Sequence, residues 1–172
     1  MRRRAAVPAG DGVVDYRKAM DIALRLLGFR SRTVRELGKR LAEKGVGEEV
    51  AGRVLARLAE LGYLDDRRFA LDWIKARSGA KCRSAWVLKR ELREKGIDPA
   101  LAEETVEEAL DPDAAFPAAC AIARQKLSRG GEADLAKWRA RVQGALLRRG
   151  FDYDFIRRVI AETAPREADG DG

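Results

Sequence analysis

The chain has 172 residues, 46% hydrophobic, 37% charged and only 6% aromatic, so its core must be lean; 35 Lys and Arg against 28 Asp and Glu leave a net charge of +7. The absence of histidine excludes a histidine general base, a Ser-His triad and a Cys2His2 zinc site, which removes most hydrolase chemistry. The positive balance favours a polyanion as partner, nucleic acid first. Cys82 and Cys120 stand too far apart for a CxxC clip, and one pair cannot staple a chain of this length, so both read as reduced thiols of a cytoplasmic protein. The basic start Met1-Arg2-Arg3-Arg4-Ala5-Ala6-Val7-Pro8 lacks the apolar stretch of a signal peptide, and no apolar run approaches the roughly 18 residues of a membrane span.

Apolar residues recur at helical spacing along the chain and no alternating strand is found, which predicts an all-α fold. Residues 1–14 read as a disordered basic tail. The first module, residues 15–64, opens on a helix carrying Ile22, Leu26 and Leu27. Thr33 and Glu36 form a capping box ahead of a second helix with Leu37 and Leu41, which Gly45 stops; a third carries Val50, Val54, Leu58 and Leu61 up to Gly62. A short connection, Gly62-Tyr63-Leu64-Asp65, leads to the second module, residues 65–111. Asp65 opens a helix with Phe69, Trp73 and Ile74; Leu88 and Leu92 mark the next, stopped at Gly96; Asp98-Pro99 starts the third. In the third module, residues 112–164, Asp113 is expected to open a helix carrying Phe116, Ile122 and Leu127. The loop Ser128-Arg129-Gly130-Gly131 follows and is where most mobility is expected; Gly150 and Asp152 then separate the last two helices, and residues 165–172 read as a second disordered tail.

A repeat emerges when Lys44-Gly45-Val46, Lys95-Gly96-Ile97 and Arg149-Gly150-Phe151 are superposed, their glycines lying 51 and 54 residues apart. Eight and four residues before each glycine stand Leu37 and Leu41, Leu88 and Leu92, Val142 and Leu146. Five, nine and ten residues after it come Val50, Val54 and Leu55, then Leu101, Thr105 and Val106, then Phe155, Val159 and Ile160, with Thr105 the one polar member. The unit is a three-helix module of about fifty residues, too small to bury much alone, so three in tandem predict an elongated all-α array.

Charge is unevenly spread. Residues 67–95 carry ten bases against Asp72, Glu91 and Glu94, whereas residues 98–113 carry seven acids and no base. Residues 25–40 add six bases against Glu36, and residues 124–149 eight against Glu132 and Asp134. At spacings of three and four, Arg32, Arg35 and Lys39 share a helix edge, as do Lys89 and Arg93 and, less well aligned, Arg83. Each stripe suits either solvation or phosphate contact; their recurrence favours contact to a nucleic-acid backbone with little sequence preference. Trp73 shares a stripe with Phe69 and Ile74 and is expected in a core, while Trp86 and Trp138, set among bases, are left between core packing and stacking on bases. Asp65-Asp66 reads as a helix cap plus a dipole contact rather than a metal or acid-base pair. Lys81 and Arg83 are placed to lower the pKa of Cys82, which lacks a partner base and is taken as incidental. Gly130-Gly131 lacks the Lys-Ser/Thr of a phosphate loop and reads as a linker. No cofactor and no metal site are expected.

The stretch Gly62-Tyr63-Leu64-Asp65-Asp66-Arg67-Arg68-Phe69-Ala70, followed by Trp73 and Arg77, resembles the bacterial RecX family of recombination regulators. Ser31-Arg32-Thr33-Val34-Arg35-Glu36-Leu37 with Leu41 and Lys44-Gly45, and Leu88-Lys89-Arg90-Glu91-Leu92 with Lys95-Gly96-Ile97, are similar to it as well, and the resemblance runs from about Tyr16 to Glu162. It implies tandem three-helix repeats and a protein that is not an enzyme. It implies binding in the groove of the RecA nucleoprotein filament, with restraint of RecA ATP hydrolysis, strand exchange and co-protease action, hence a place in homologous recombination, DNA repair and the SOS response. The contact residues it points to are Arg32, Arg35, Lys39, Arg67, Arg68, Arg77, Lys81, Arg83, Lys89, Arg90 and Arg93, with Arg148 and Arg149 secondary; Gly45, Gly96, Asp65, Phe69 and Trp73 are structural. Partners are therefore RecA and single- or double-stranded DNA, for a monomer with no apolar stripe to spare. A sequence-tolerant DNA-binding protein independent of RecA, a metal-dependent nuclease, and an adaptor using Glu103, Glu104, Glu107 and Glu108 are the alternatives.

Overall fold

The computed structural model describes residues 14–79, 81–111, 113–128 and 135–165. Both tails (save Val14 and Pro165) and the Gly130-Gly131 linker lie outside them. The described residues form nine helices and no strand: α1 (Tyr16–Phe29), α2 (Val34–Glu43), α3 (Glu48–Glu60), α4 (Asp66–Ser78), α5 (Ala85–Glu94), α6 (Pro99–Ala109), α7 (Ala115–Ser128), α8 (Leu135–Leu147) and α9 (Tyr153–Thr163). They divide into two compact units, Met1–Phe69 and Ala70–Gly172, with the division inside α4.

Side-chain oxygens cap most helix starts, as short-range chemistry requires of orphan amides. Thr33 accepts from the Glu36 amide at 3.0 Å, Asp65 from Arg68 at 2.9 Å, Asp98 from Ala100 at 2.9 Å and Asp152 from Phe155 at 2.8 Å. Asp15 and Ser84 cap α1 and α5, two caps the sequence reading passed over. Asp113 does not open α7. Its own amide donates to Asp111 Oδ1 at 2.9 Å and the helix begins at Ala115, so Asp111 and Asp113 bond to each other ahead of the helix instead. The four glycine stops, Gly45, Gly62, Gly96 and Gly150, all lie at φ between 74° and 88°, the left-handed region that a β-carbon disfavours.

In the first unit α1, α2 and α3 pack mutually around Ala19, Ala23, Leu37, Leu41, Val54 and Leu58, each 0% exposed. In the second unit α5 packs on α6, and α7, α8 and α9 pack on one another. The paired stripes Leu37/Leu41, Leu88/Leu92 and Val142/Leu146 are buried completely, as the repeat requires. First helices differ from expectation: Ile22, Leu26, Phe116, Ile122 and Leu127 are half-buried, while Ala19 and Ala23 in α1 and Ala119 and Ala123 in α7 sit at the centre. Small residues four apart let helix backbones approach closely, so bulkier neighbours are displaced to the margins. Thr105 is buried among apolar positions because its hydroxyl donates to the Leu101 carbonyl at 2.6 Å, satisfying the group locally.

Candidate functional site

The basic edge of α2 is the simplest part of the candidate surface. Arg35 and Lys39 are exposed and make no ion pair among the described residues. Arg32, on the same edge just before the helix, is partly buried; its Nε donates to the Leu26 carbonyl at 3.2 Å, and burial pushes its guanidinium below its ordinary value. It closes the end of α1 and is less accessible than its neighbours. The first amide of α2, Val34 N, donates to Asp66 Oδ1 at 2.9 Å. The Asp65-Asp66 pair thus caps two helices, Asp65 its own and Asp66 the start of α2, 32 residues earlier. Burial raises the Asp66 carboxyl above its ordinary range, against the opposing pull of the Val34 amide. In the same stretch Arg67 is partly buried and partnered, and the Arg68 side chain is exposed.

On α4 and α5 the cations are largely spoken for. Glu91 accepts from Trp73 Nε1 at 3.0 Å and pairs with Arg77 at 3.1 Å and Arg83 at 3.6 Å. Arg77 also lies over the Trp73 ring, 3.1 Å from its centroid, with Lys95 at 5.0 Å. Lys89 is held between Glu103 and Glu107 of α6, and the Glu103 hydrogen bond raises its pKa while Lys89 lowers that of Glu103. Arg93 reaches Glu103 at 3.5 Å, and Arg90 reaches Glu94 at 3.5 Å, both from half-exposed positions. The acidic helix read from residues 98–113 is therefore partly neutralised by α5.

A third cluster joins the α4–α5 connection to the end of α8. Ser84 N donates to the Arg149 carbonyl at 2.9 Å, Arg83 to the Arg148 carbonyl at 3.0 Å, and Arg149 Nε to the Lys81 carbonyl at 3.1 Å. Gly150 sits so close that an added β-carbon would stand 2.3 Å from Val87 Cγ2 and 2.5 Å from Ser84 Oγ. Lys81 and Arg148 remain exposed at its margin. Cys82, at φ 47°, is 1% exposed; burial raises its thiol despite the charge of Arg149, which corrects the expectation that basic neighbours lower it.

Three successive family models match the chain: the RecX first three-helix domain over residues 19–58, the second over 65–110 and the third over 115–160. The chain belongs to the RecX family. The regulatory protein RecX of Mycolicibacterium smegmatis is 34% identical over 163 residues, covering 90% of this chain and 86% of its own length. That of Mycobacterium leprae is 37% identical over 144 residues, covering 83% and 84%. The crystal structure of RecX from Lactobacillus salivarius superposes with a TM-score of 0.75 over 86% of this chain and 96% of that one; at 23% identity it bears on the fold alone. RecX is a family of regulatory proteins rather than enzymes. Among the described residues no group of three or more His, Cys, Asp or Glu is placed to hold a metal, and no helix is long and apolar enough to cross a membrane.

Within this RecX chain the three tryptophans separate by environment. Trp138 is 1% exposed with Nε1 donating to the Ala123 carbonyl at 3.0 Å, Trp73 is half-buried, and Trp86 is 62% exposed beneath Arg90. Sequence reasoning passed over Glu91 as a hub and Gly150 as a contact. The available signal was that Glu91 is one of few acids in a basic stretch.

Proposed function

We propose that this chain binds the RecA–DNA filament in its helical groove and mainly inhibits RecA ATP hydrolysis, strand exchange and co-protease action. The observation that carries the reading is the presence of all three RecX domains in order, together with relatives named as regulatory proteins along most of their length. We take residues 15–64, 65–111 and 112–164 as the three modules of a cytoplasmic monomer acting in recombination, repair and the SOS response. Separate basic patches on different repeats suit a partner that repeats its own surface, because several weak contacts on one chain add through effective concentration. Contacts go to phosphates and to acidic protein surface, so DNA is bound without strong sequence preference and with steep salt dependence.

Residues fall into two roles under this reading. Arg35, Lys39, Arg68, Lys81, Arg90, Arg93 and Arg148 present cations at accessible positions. Arg32, Arg77, Arg83, Lys89 and Arg149 act first by tying together the helices and connections around them, and Arg67 is already partnered. The test is RecA ATP hydrolysis on single-stranded DNA as this chain is titrated in at two salt concentrations, beside a binding control with DNA alone. Inhibition well below saturation of bare DNA is the expected result; inhibition that only tracks DNA coating points to a DNA-binding protein independent of RecA.

A further inference from the structure

We propose that Trp86, with Arg90 and Arg93, forms a site for single-stranded nucleic acid in which a base stacks on the indole and neighbouring phosphates meet the two guanidinium groups. The inference rests on the reading above that the chain meets DNA, and adds the form of DNA and the residues that take it. Trp86 is the second residue of α5 and 62% exposed, an unusual state for the largest apolar side chain in a protein that is 6% aromatic. The Arg90 guanidinium lies 4.8 Å from the indole centroid, one helical turn along the same face. The ring lies near Gly150, where an added β-carbon would stand 3.4 Å from Cε3.

Trp86 is also a shared wall. It lines a cavity of about 650 Å3 whose lining also includes Val106, Leu110, Ala115, Phe151 and Phe155. It also lines a recess of about 350 Å3 completed by Lys89, Arg90, Arg93 and Glu103. A ligand that fits both has a flat, largely apolar body and an anionic end within reach of it, which is the description of a nucleotide in a single strand; in a duplex the base faces are already stacked. Arg90 and Arg93 hold their carboxylates at 3.5 Å from half-exposed positions, contacts weak enough to exchange for phosphate. Lys89, clasped by two glutamates, stays with α6.

The experiment measures binding of the full chain to a labelled oligothymidylate of about twenty nucleotides and to a duplex of equal length, a span set by the site sizes of single-strand binders. Expected are quenching of tryptophan fluorescence by the single strand, loss of that quenching in Trp86→Phe, and about tenfold weaker single-strand binding in Trp86→Ala with duplex binding unchanged. Arg90→Glu with Arg93→Glu should lower the single-strand salt slope by about 1.4, two contacts at about 0.7 each. Circular dichroism reports folding, and Trp86→Phe keeps the quenching test alive where the alanine variant unfolds. Single-strand affinity unchanged in a folded Trp86→Ala, or equal loss for duplex, overturns the proposal. Displacement of the oligonucleotide from wild type but not from Trp86→Ala by poly-glutamate does so too, in favour of an acidic peptide. RecA ATP hydrolysis measured with wild type separates the two readings: no effect there sinks the filament reading whatever Trp86 does, whereas inhibition beside a silent Trp86 sinks only this site.

Discussion

Helices α2 and α5 occupy the same place in successive repeats and carry the same buried leucine pair ahead of a left-handed glycine, yet Arg35 and Lys39 on the one and Lys89 on the other meet opposite fates. Arg35 and Lys39 on α2 stand exposed without an ion pair among the described residues, whereas Lys89 on α5 is clasped by Glu103 and Glu107 and Glu91 gathers Arg77, Arg83 and Trp73. The difference lies in the neighbouring helix. α6 follows α5 with a run of glutamates, and α4 presents an arginine and an indole to Glu91, so Arg77, Arg83 and Lys89 of a stretch with a large positive count are drawn into the scaffold. Counting charges along a segment measures what is available to a partner only after the third helix of the repeat has taken its share.

The largest expected effect concerns two glycine stops, Gly45 at the end of α2 and Gly150 at the end of α8, against the start of α5. Gly45, which ends α2, has φ 77° with nothing within 4 Å of an added β-carbon, so Gly45→Ala should cost about 1 kcal/mol from backbone strain alone. Gly150, packed against Ser84 and Val87 at the start of α5, has φ 84° and no room, so Gly150→Ala should cost about 3 kcal/mol as overpacking adds to strain. Urea unfolding of both variants checks this, and equal losses would refute the tight junction.

Next in size is the difference in binding. Arg35→Glu with Lys39→Glu should lower the slope of log affinity for DNA against log salt by about two, while Lys89→Gln should leave the slope nearly unchanged because that ammonium is already neutralised. Salt titration by fluorescence anisotropy measures both. If the Lys89 variant loses as much slope as the α2 pair, the distinction between loose and clasped cations fails.

A smaller effect follows from protonation of the clasp. Glu103 is held below its ordinary 4.5, so its contribution is present above that value and lost as pH falls through the lowered one. Lys89 is held above its ordinary 10.5, so its contribution is present below that value and lost as pH rises through the raised one. Lys89→Met should flatten the urea midpoint at both pH extremes, with little change in its shape near neutrality.

The smallest effects separate the two adjacent aspartates. Asp65→Ala should cost about 1 kcal/mol by uncapping α4. Asp66 is raised by burial, so its contribution is present below its ordinary 3.8 and declines as pH rises through the raised value. Asp66→Asn keeps an acceptor for Val34 and should therefore change stability at neutral pH by less than about 0.5 kcal/mol, since water screens the part-exposed group. Thermal melts at pH 7 rank the pair, and a larger loss from Asp66→Asn than from Asp65→Ala would show that the charge itself matters to the start of α2.

Much of the fold was legible because its determinants act over a few residues. The leucine stripes, the caps at Thr33, Asp65, Asp98 and Asp152, and the four left-handed glycines each follow from helix geometry and the orphan amides and carbonyls at helix ends. Asp113 misled because an aspartate serves a turn as readily as a cap, and the choice depends on where the next helix packs. Ala19, Ala23, Ala119 and Ala123 were overlooked because a small residue carries little hydrophobic signal although it permits the closest approach.

What the sequence determined by itself, then, is local: nine helical segments among the described residues, their starts and stops, and a threefold repeat with a common buried stripe, all set by interactions within about one or two helical turns. Tertiary structure alone decided that Trp138 is core while Trp86 stands in solvent, that Glu91 collects three partners, that Asp66 caps a helix 32 residues earlier, and that Gly150 lies against Ser84 and Val87. The two tryptophans have similar basic neighbours in the chain and different neighbours in space. Burial and charge pairing are properties of what comes within a few ångströms after folding, and for those contacts position along the chain is no measure of distance.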